Sequence, residues 1–423
     1  MPGLRPVLDA LEPVSRRFAA AGHDLYLVGG IVRDQVLGLP VTGDIDLTSG
    51  ALPGETLGLI GDLAESIWSQ GERFGTIGAR IAGLDIEITT FRSESYDPQS
   101  RKPLVAFGNE LSTDLARRDF TINAMAASVH DGRLIDPFNG VGDLRACVLR
   151  TPLDPDISFT DDPLRLLRAA RLLARFGLTA SEDLSTAALR NADRMAIVSA
   201  ERLRDEFERL LDTDAPITGL QFLVEHDLSR FLTPSPLSRD VIDRVSSHLV
   251  PGSSSIERTL VRRAGFFFDL GAEGTRRQLS LLRYSRADIT RTAAVVELAP
   301  RMTDPTPRAR ELRRLVSDSG PTNEPELLDA AAELAVLLGT GDPMAFHRAL
   351  LELRQAEDLT DLAAPINGRR IIRELGIPAG PAVGRIVEEL REYRIENGPY
   401  DEATAVVLLA SVAARLGLDR SDR

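Results

Sequence analysis

The order of apolar and polar residues changes character along the chain. Near the N-terminus, short apolar runs end at glycines, which is typical of buried strands followed by turns. DLYLVGG predicts such a strand and turn, IVRDQVLGL the helix after it, and DIDLTSG a second strand. This alternation predicts an α/β arrangement at the start of the chain.

A second β pattern follows. The stretch GTIGARIAGLDIEITTFR predicts a hairpin, whose strands span Ile77 to Ile81 and Leu84 to Phe91 and meet at Ala82 and Gly83. The segment from Thr121 to Val129 fits either a helix or a buried segment of another kind.

From about Phe159 onward, apolar residues recur with the 3.6-residue period of helices. PLRLLRAARLLARFGL predicts a helix capped by Gly177, and SAERLRDEFERLL one that starts after Ser199. The rest of the chain is predicted to be helical, with joints between the helical groups at Pro234 to Pro236, Pro251 to Ser255, Thr303 to Pro307 and Gly376 to Gly384.

Length and composition indicate a globular protein of several domains. At 423 residues the chain exceeds the size of a single core, and 43% apolar with 27% charged residues is a usual globular balance. Cys147 is the only cysteine, so neither an intrachain disulfide nor a cysteine-rich zinc cluster can form. The charged start and the lack of a long apolar run predict a cytoplasmic protein with no membrane partner.

The charge balance limits how the chain can bind nucleic acid. A net charge of −13 argues against a protein that coats nucleic acid indiscriminately, because such binding depends on neutralising phosphates. The net charge does not exclude a local basic groove. Nearly all basic residues are arginine, which can hold phosphates and base edges through two hydrogen bonds at once. The base composition of the genome explains this preference equally well.

Two motifs in the first strand–turn–helix–strand unit are candidates for phosphate and metal chemistry. Taken alone, a plain tight turn and a solvated turn at a strand end give the same two patterns. Gly29 and Gly30 let the backbone approach an anion, and Arg33 can hold phosphate oxygens. Asp44 and Asp46 alternate along a strand, so both carboxylates face one side. Two such carboxylates need a cation, and Mg²⁺ prefers hard oxygen ligands shared with substrate phosphates.

A third carboxylate is predicted in the hairpin. Asp85 and Glu87 also alternate onto one face, and we favour Glu87 as the partner of the two earlier aspartates. Three carboxylates on neighbouring strands are what a two-metal phosphoryl-transfer site requires. A polar strand face in contact with water is the alternative interpretation.

The stretch LARRDFTINAMA is a candidate wall of a nucleotide pocket. Arg118, with Arg117 beside it, can contact a triphosphate, Asp119 a ribose hydroxyl, and Asn123 either group. A plain helix start with solvated arginines gives the same pattern.

A second candidate wall is the arginine-rich helix. Asp162 and Arg165 are three residues apart, and Arg168 and Arg171 continue the step. A carboxylate beside a guanidinium matches the amino group and ring nitrogen that cytosine and adenine share, whereas uracil and guanine present the reverse order. A basic amphipathic helix at an interface is the alternative interpretation.

Taken together, these segments resemble a known family. LVGGIVRDQVLGLPVTGDIDLT, ARRDFTINAMA, DPFNGVGDLRACVLR and DDPLRLLRAARLLARFGL are similar, in order, to motifs of class II tRNA nucleotidyltransferases and bacterial poly(A) polymerases. The resemblance is dense from about residue 25 to 180, and VSAERLRDEFERLL is similar to the next family helix.

The resemblance implies an α+β fold with a small mixed sheet in a nucleotidyltransferase head (1–150), followed by an all-α neck (151–235), body (236–345) and tail (346–423). It implies Mg²⁺ on Asp44 and Asp46, with Glu87 completing the set. It also implies that the triphosphate is held by Gly30, Arg33 and Arg118, and the ribose by Asp119. The base edge is expected to be read by Asp162 with Arg165, and Arg168 and Arg171 to support that pocket. Asp161 stands where many relatives have glutamate. We expect this difference to have little effect on base recognition, because the next residue, Asp162, is the one expected to face the base.

One departure concerns the body. The tail is similar to that of relatives whose body is an HD-type phosphohydrolase, but Phe268 precedes Asp269 where the metal-binding histidine would stand. The body is therefore expected to be HD-like without metal ligands. His226 and Asp227 form a His-Asp pair in a different context, and we expect them to lie at the surface.

The function implied is addition of CMP and AMP from CTP and ATP to the 3′ end of tRNA. The segment ESYDPQSRKPLVAFGNEL is similar to the flexible loop of full CCA-adding enzymes, which favours that activity over CC-only addition, A-only addition or poly(A) synthesis. A catalytically silent RNA-binding protein and a metal-dependent phosphatase are the alternatives from other classes. The sequence leaves the oligomeric state open.

Overall fold

The computed structural model describes residues 2–41, 43, 45–95, 104–108, 110–247, 255–302, 307–318, 325–339 and 342–417. The chain divides into two compact units, Met1–Leu237 and Ser238–Arg423. Several predicted features lie outside the described residues. They are Asp44, then the centre of the ESYDPQSRKPLVAFGNEL segment, and most of the predicted joints at Pro251 to Ser255 and at Thr303 to Pro307. The finer division of the chain into head, neck, body and tail stays a prediction.

The first unit is built on a mixed sheet. Its strands are β1 (Leu25–Val28), β2 (Ile45–Ser49), β3 (Ser66–Trp68), β4 (Thr76–Ile81), β5 (Leu84–Thr90), β6 (Arg92–Ser95), β7 (Leu104–Phe107), β8 (Ala126–Ser128), β9 (Leu134–Ile135), β10 (Val148–Leu149) and β11 (Thr179–Ala180). Seven of them form one sheet in the order β3-β4-β5-β2-β1-β8-β9, in which only β2 and β5 run parallel to each other.

The helices of the first unit follow the strands and dominate after residue 150. They are α1 (Arg5–Ala20), α2 (Gly30–Val36), α3 (Pro53–Ile60), α4 (Leu111–Ala116), α5 (Gly140–Ala146), α6 (Pro155–Asp161), α7 (Arg165–Phe176), α8 (Glu182–Asn191), α9 (Ala200–Leu211) and α10 (Ile217–Glu225). Short 3₁₀ turns lie at Pro2–Leu4, Glu72–Phe74, Thr121–Asn123, Ala192–Ile197 and Ser229–Phe231. The predicted α+β class, with a mixed sheet first and helices afterwards, is confirmed.

Alternation along the strands separates a core face from a polar face. Ile45 and Leu47 of β2, and Ile86 and Ile88 of β5, are buried at 2% exposure or less, in the sheet that α1 and α3 contact. The residues between them therefore project to the opposite face. This is the physical reason why the carboxylates of β2 and β5 share one side of the sheet.

Local predictions in this unit have mixed outcomes. The hairpin is confirmed, with Ala82 and Gly83 both at positive φ (49° and 74°), as a tight two-residue turn requires. Gly177 caps α7 in the left-handed region, also as predicted. Within Thr121 to Val129, the helical alternative is wrong: a 3₁₀ turn leads into β8, which inserts beside β1, so tertiary pairing decides the structure of this buried segment.

The second unit is helical. Its helices are α11 (Arg239–Ser246), α12 (Ser255–Phe267), α13 (Gly271–Leu281), α14 (Arg286–Leu298), α15 (Ala309–Asp318), α16 (Pro325–Leu337), α17 (Pro343–Ala356), α18 (Gly368–Leu375), α19 (Pro381–Asn397) and α20 (Glu402–Arg415), with 3₁₀ turns at Phe268–Leu270 and Ala299–Arg301. One apolar cluster extends from Leu260 to Leu362 along the chain, and a separate one from Ile366 to Val412.

Two positions bear on the HD-like body: Phe268-Asp269, where the family's histidine would stand, and the His226-Asp227 pair. Asp269 is bound by Arg244 at 3.1 Å, and the guanidinium of Arg244 lies 5.2 Å from the ring centre of Phe268. The expectation of a surface pair at His226 is wrong: its ring is buried at 3% exposure and hydrogen-bonded to Phe222 and Ser185. Asp227 next to it is exposed and paired with Arg230. In the described part of the chain, no helix is long and apolar enough to cross a membrane.

Candidate active site

The site starts from two facing carboxylates on the sheet. Asp46 of β2 and Glu87 of β5 are register partners on the two parallel strands, and neighbouring strands lie about 4.8 Å apart. Both side chains therefore lie side by side on the polar face. Asp44, the other aspartate of the predicted pair, lies outside the described residues.

The structure distinguishes the two acids of the hairpin. Asp85 shares the polar face, but its carboxylate accepts hydrogen bonds of 2.8 and 3.0 Å from Arg80. Glu87, by contrast, lines a cavity together with Asp46. The geometry therefore favours Glu87 over Asp85 as the partner of Asp46.

This cavity brings together most of the predicted site residues. Its volume is about 560 Å³, and the first unit supplies its whole lining: Val28, Asp46, Leu47, Thr76, Glu87, Thr89, Arg92, Arg117, Arg118, Asp119, Asp162, Arg165, Arg168 and Arg202. Six arginines face four carboxylates, so the cavity combines a place for anions with an acidic floor on the sheet.

The glycine turn after β1 lies between the acidic and the basic side of the cavity. Gly29 has φ 75° and ψ −136°, a combination that L side chains rarely adopt. A Cβ at this position would lie 3.3 Å from Nη1 of Arg118 and 3.8 Å from Oδ2 of Asp46. The turn thus brings its backbone close to both groups. Gly30 starts α2, with Arg33 above it.

Arg33 and Asn123 stand behind the cavity wall. Arg33 is buried, donates a 2.6 Å hydrogen bond to Oδ1 of Asn123, pairs with Asp34 and lies 4.4 Å from the ring centre of Phe176. Burial lowers the pKa of the Arg33 guanidinium, and the Asp34 carboxylate opposes that shift. The structure thus places Arg33 in a support network and not among the lining residues.

That network ends on Asp119. Asn123 donates a 3.0 Å hydrogen bond to Oδ1 of Asp119, whose other oxygen lies 2.7 Å from Nη2 of Arg168. Burial raises the pKa of the Asp119 carboxyl, but Arg168, Asn123 and Arg165 lower it by more, so the net pKa lies below the ordinary value. Attraction to Asp119 in turn raises the pKa of Arg168. Asp119 is therefore a carboxylate held in one orientation.

Asp114 holds two arginines of the cavity wall, although the sequence did not predict it. Its side chain is fully buried; Oδ1 accepts hydrogen bonds of 3.1 and 2.9 Å from Arg117, and Oδ2 one of 3.3 Å from Arg118. Burial raises the pKa of Asp114, and the two arginines lower it below its ordinary value. The i, i+3 and i, i+4 spacing to the arginines is the signal that could have revealed it.

Asp162 and Arg165 lie together at the helical side of the cavity. Oδ1 of Asp162 accepts a 3.2 Å hydrogen bond from the backbone of Leu164, and Oδ2 one of 2.8 Å from Arg202. Arg165 donates a 2.7 Å hydrogen bond to Oγ of Ser158 and a 2.6 Å hydrogen bond to the carbonyl of Arg117. Arg202 was not predicted, because its partner is 40 residues away along the chain.

Arg171 is separated from the other predicted residues. Its Nε donates a 2.7 Å hydrogen bond to the buried Glu206, and it lines another cavity, of about 330 Å³, with Arg175 and Arg209. Each step of three residues along α7 turns the side chain further around the helix axis. Arg165 and Arg168 therefore line the first cavity, whereas Arg171 points beyond the edge of that cavity.

The donor set can be compared with the needs of a magnesium ion. Mg²⁺ is usually held by one or two carboxylates and substrate phosphates, with water in the remaining positions. Asp46 and Glu87 supply two facing carboxylates, and the arginines supply a place for phosphates. Among the described residues there is no group of three or more His, Cys, Asp or Glu side chains that could hold a metal. Two facing carboxylates with arginines beside them fit an ion that the phosphates of a substrate also hold.

Comparison with known proteins identifies the class of the chain. Residues 25–150 match the model of the poly A polymerase head domain, and residues 177–237 match that of the probable RNA and SrmB- binding site of polymerase A. The first of these regions contains the mixed sheet with Asp46 and Glu87. The chain is thus a nucleotidyltransferase by its fold and head domain.

Relatives that align with most of the chain define its family within the nucleotidyltransferases. A CCA-adding enzyme of Limosilactobacillus fermentum is 30% identical over 394 residues, which cover 92% of this chain and 93% of that enzyme. One from Geobacillus thermodenitrificans is 28% identical over 92% of each chain. This chain belongs to the family of CCA-adding enzymes.

Solved structures agree on the fold. The Bacillus stearothermophilus CCA-adding enzyme, in complex with CTP, has a TM-score of 0.81 to this chain at 24% identity, and 99% of each chain is covered. The Thermotoga maritima CCA-adding enzyme, complexed with tRNA_CCA, has a TM-score of 0.65 at 24% identity over 97% of this chain and 96% of that one.

Proposed function

We propose that this protein adds C, C and A to the 3′ end of tRNA, using CTP and ATP and releasing pyrophosphate. The observation that carries the proposal is the cavity in which Asp46 and Glu87 of the sheet face the arginines of α7 and of the segment after α4. Relatives that align with more than nine-tenths of the chain are named CCA-adding enzymes, which supports the same activity. A cytosolic location, where bacterial tRNA is made, belongs to this proposal.

The reaction is an in-line displacement at phosphorus. The 3′ oxygen of the tRNA forms a bond to the α-phosphorus of the nucleotide, the bond to the β-phosphate oxygen breaks, and pyrophosphate leaves. Catalysis of such a step depends on placement and electrostatic stabilisation. The protein supplies both, since Arg117 and Arg118 are held by Asp114 and Arg168 is held by Asp119.

Asp46 and Glu87, with Asp44, are the residues proposed to hold Mg²⁺. When bound, the ion neutralises negative charge on the triphosphate and makes the attacking hydroxyl more acidic. Within this assignment, the carboxylates orient the reacting groups over the polar face of the sheet.

Arg118 and Arg117 are the proposed triphosphate contacts, beside the glycine turn at Gly29 and Gly30. Both arginines are oriented by Asp114. Asp119 is the proposed ribose contact, since a carboxylate fixed by Arg168 can accept a hydrogen bond from a hydroxyl. Arg33 and Asn123 then act by holding Asp119 in place.

Asp162 and Arg165 are the proposed base-reading pair. The carboxylate can accept from the amino group of cytosine or adenine, and the guanidinium can donate to the adjacent ring nitrogen. Arg202, Ser158 and the carbonyl of Arg117 fix their directions, which favours one hydrogen-bonding order over the reverse. Arg168 supports the pocket through its ion pair with Asp119, and Arg171 supports α7, the helix that carries Arg165, through its hydrogen bond to Glu206.

A tRNA extension assay tests the proposal. A tRNA transcript that lacks its CCA end is incubated with Mg²⁺ and with CTP, ATP or both. We expect two added nucleotides with CTP alone and three with both. Long A tails would instead assign poly(A) synthesis, and a single A on a tRNA ending in CC, with no C addition, would assign A-only activity.

The same assay separates the remaining alternatives. Addition that stops after two C residues with both nucleotides present indicates a CC-adding enzyme. Tight tRNA binding without pyrophosphate release indicates a silent RNA-binding protein. Release of inorganic phosphate from a terminal phosphate, without nucleotide addition, would point to a phosphatase.

A further inference from the structure

Four residues stand in one register row across the sheet. Trp68 of β3 is the partner of Gly78 on β4, Gly78 is the partner of Glu87 on β5, and Glu87 is the partner of Asp46 on β2. With strands about 4.8 Å apart, the row spans about 14 Å from Trp68 to Asp46. An aromatic residue thus ends the row that holds the proposed catalytic carboxylates.

The indole of Trp68 lies over Gly78 and so leans towards those carboxylates. A Cβ at Gly78 would lie 1.8 Å from Nε1 and 2.0 Å from Cε2 of Trp68, so the ring occupies the place of any side chain at this position. The ring is therefore only about one strand spacing, about 5 Å, from the register position of Glu87. A glycine at position 78 is required for this close approach.

The position of β3 leaves the ring accessible. β3 is the edge strand of the sheet, and Trp68 is only partly buried while Gly78 beneath it is buried. One side of the indole rests on the backbone of β4, and the other side is directed away from the sheet. A flat aromatic surface of this kind is the usual platform for an unpaired base in single-stranded nucleic acid.

We propose that Trp68 is a positioning residue that stacks with the 3′-terminal base of the tRNA and so delivers its 3′ hydroxyl to Asp46 and Glu87. This inference rests on the proposed function, because it assumes an RNA 3′ end as the acceptor. Stacking tolerates any base, so one platform serves successive acceptor ends that finish in the discriminator base, C and CC.

Packing of an aromatic ring on a glycine also stabilises the edge of a sheet, so the alternative role of Trp68 is a purely structural one. A purely structural role would lower the melting temperature and impair all substrates alike. A stacking role affects the tRNA and spares the nucleotide.

Intrinsic fluorescence provides a direct test, because Trp68 is the only tryptophan of the chain. The full-length protein is titrated, without nucleotide, with a tRNA that lacks CCA and with the same tRNA carrying an abasic terminal residue. We expect the intact tRNA to quench the fluorescence and the abasic one to bind, by filter binding, with little quenching. Equal quenching by both, or quenching by neither, overturns the inference.

Steady-state kinetics provide a second test. Trp68→Ala should raise KM for tRNA about 10-fold or more, as loss of one stacked base predicts, while KM for CTP stays unchanged. Trp68→Phe should restore most of the tRNA affinity. Ile67→Ala, which truncates an exposed residue of the same strand on the opposite face, is the matched control.

The failure of each proposal gives a different result. If the wild-type protein extends no tRNA, the proposed function is wrong. If it extends tRNA normally but Trp68→Ala leaves KM for tRNA unchanged, only the role of Trp68 is wrong.

Discussion

Arg165 donates a 2.6 Å hydrogen bond to the backbone carbonyl of Arg117. This contact connects α7 to the segment after α4, 48 residues away along the chain. It joins the proposed base-reading pair to the proposed triphosphate contacts within one cavity. A nucleotide in this cavity would therefore be held at its base and at its phosphates by two segments that the hydrogen bond between Arg165 and Arg117 connects.

The first prediction concerns selection of the base. Arg165→Lys keeps the charge but loses the planar group that bonds Ser158 and Arg117 at the same time. We expect kcat/KM for CTP and ATP to fall about 10- to 100-fold, and the preference for CTP over UTP to weaken. Arg175→Lys, on the same helix but lining the other cavity, should change neither quantity. Unaltered selectivity in Arg165→Lys would remove Arg165 from the base-reading pair.

The second prediction concerns the carboxylate row. Asp46→Asn and Glu87→Gln should each reduce nucleotide incorporation at least about a thousandfold, about 4 kcal/mol of barrier, because each removes a charged oxygen proposed for the metal. Asp85→Asn changes an acid of the same strand that Arg80 holds outside the cavity, so we expect activity within about twofold of the wild type. Circular dichroism checks that all three variants fold. Full activity in Glu87→Gln, with loss in Asp85→Asn, would exchange their roles.

The third prediction concerns the pH dependence of stability. The folded-state pKa of Asp119 lies below its ordinary value of 3.8, because Arg168 and the other partners of its carboxylate outweigh the effect of burial. Its contribution is therefore present above pH 3.8 and is lost as the pH falls through the lower, folded-state pKa.

Asp119→Asn measures this contribution. At pH 7 the variant should be less stable by about 2 kcal/mol, the usual size for hydrogen bonds to a charged group. Melting temperatures taken between pH 7 and pH 3 should show a constant difference down to about pH 4 and a shrinking one below. A difference that grows with acidity would contradict the assigned direction of the pKa shift.

The fourth prediction concerns the glycine turn. Gly29→Ala forces a side chain into a backbone conformation that only glycine adopts readily and places its Cβ beside Arg118. We expect a loss of about 1 to 3 kcal/mol in stability together with a large loss of activity.

Gly22→Ala is the matched control for that turn. Gly22 also has a positive φ, 83°, but no atom within 4 Å of an added Cβ. The control should lose about 1 kcal/mol of stability and keep its activity per folded molecule. Equal loss of activity in both variants would show that backbone strain, and not the position beside Asp46 and Arg118, is responsible.

Sequence by itself determined those features that depend on neighbours a few residues apart. The two-residue periodicity of β2 and β5 places Asp46 and Glu87 on the polar face, and the two β-rich runs on either side locate the turn at Ala82 and Gly83. Gly177 ends α7 because a left-handed residue is needed there. The family resemblance added the residue roles, which periodicity alone does not provide.

Tertiary structure decided the features that depend on residues far apart in the chain. The parallel pairing of β2 with β5 selects Glu87 over Asp85, and insertion of β8 beside β1 makes a strand of a segment that could have been helical. Packing turns Arg33 towards Asn123, Arg171 towards Glu206, and the ring of His226 into the interior. Local dihedral preferences fix which way a side chain points along its own strand or helix, but its partner is fixed only when distant segments pack together, and that depends on the free energy of the whole core.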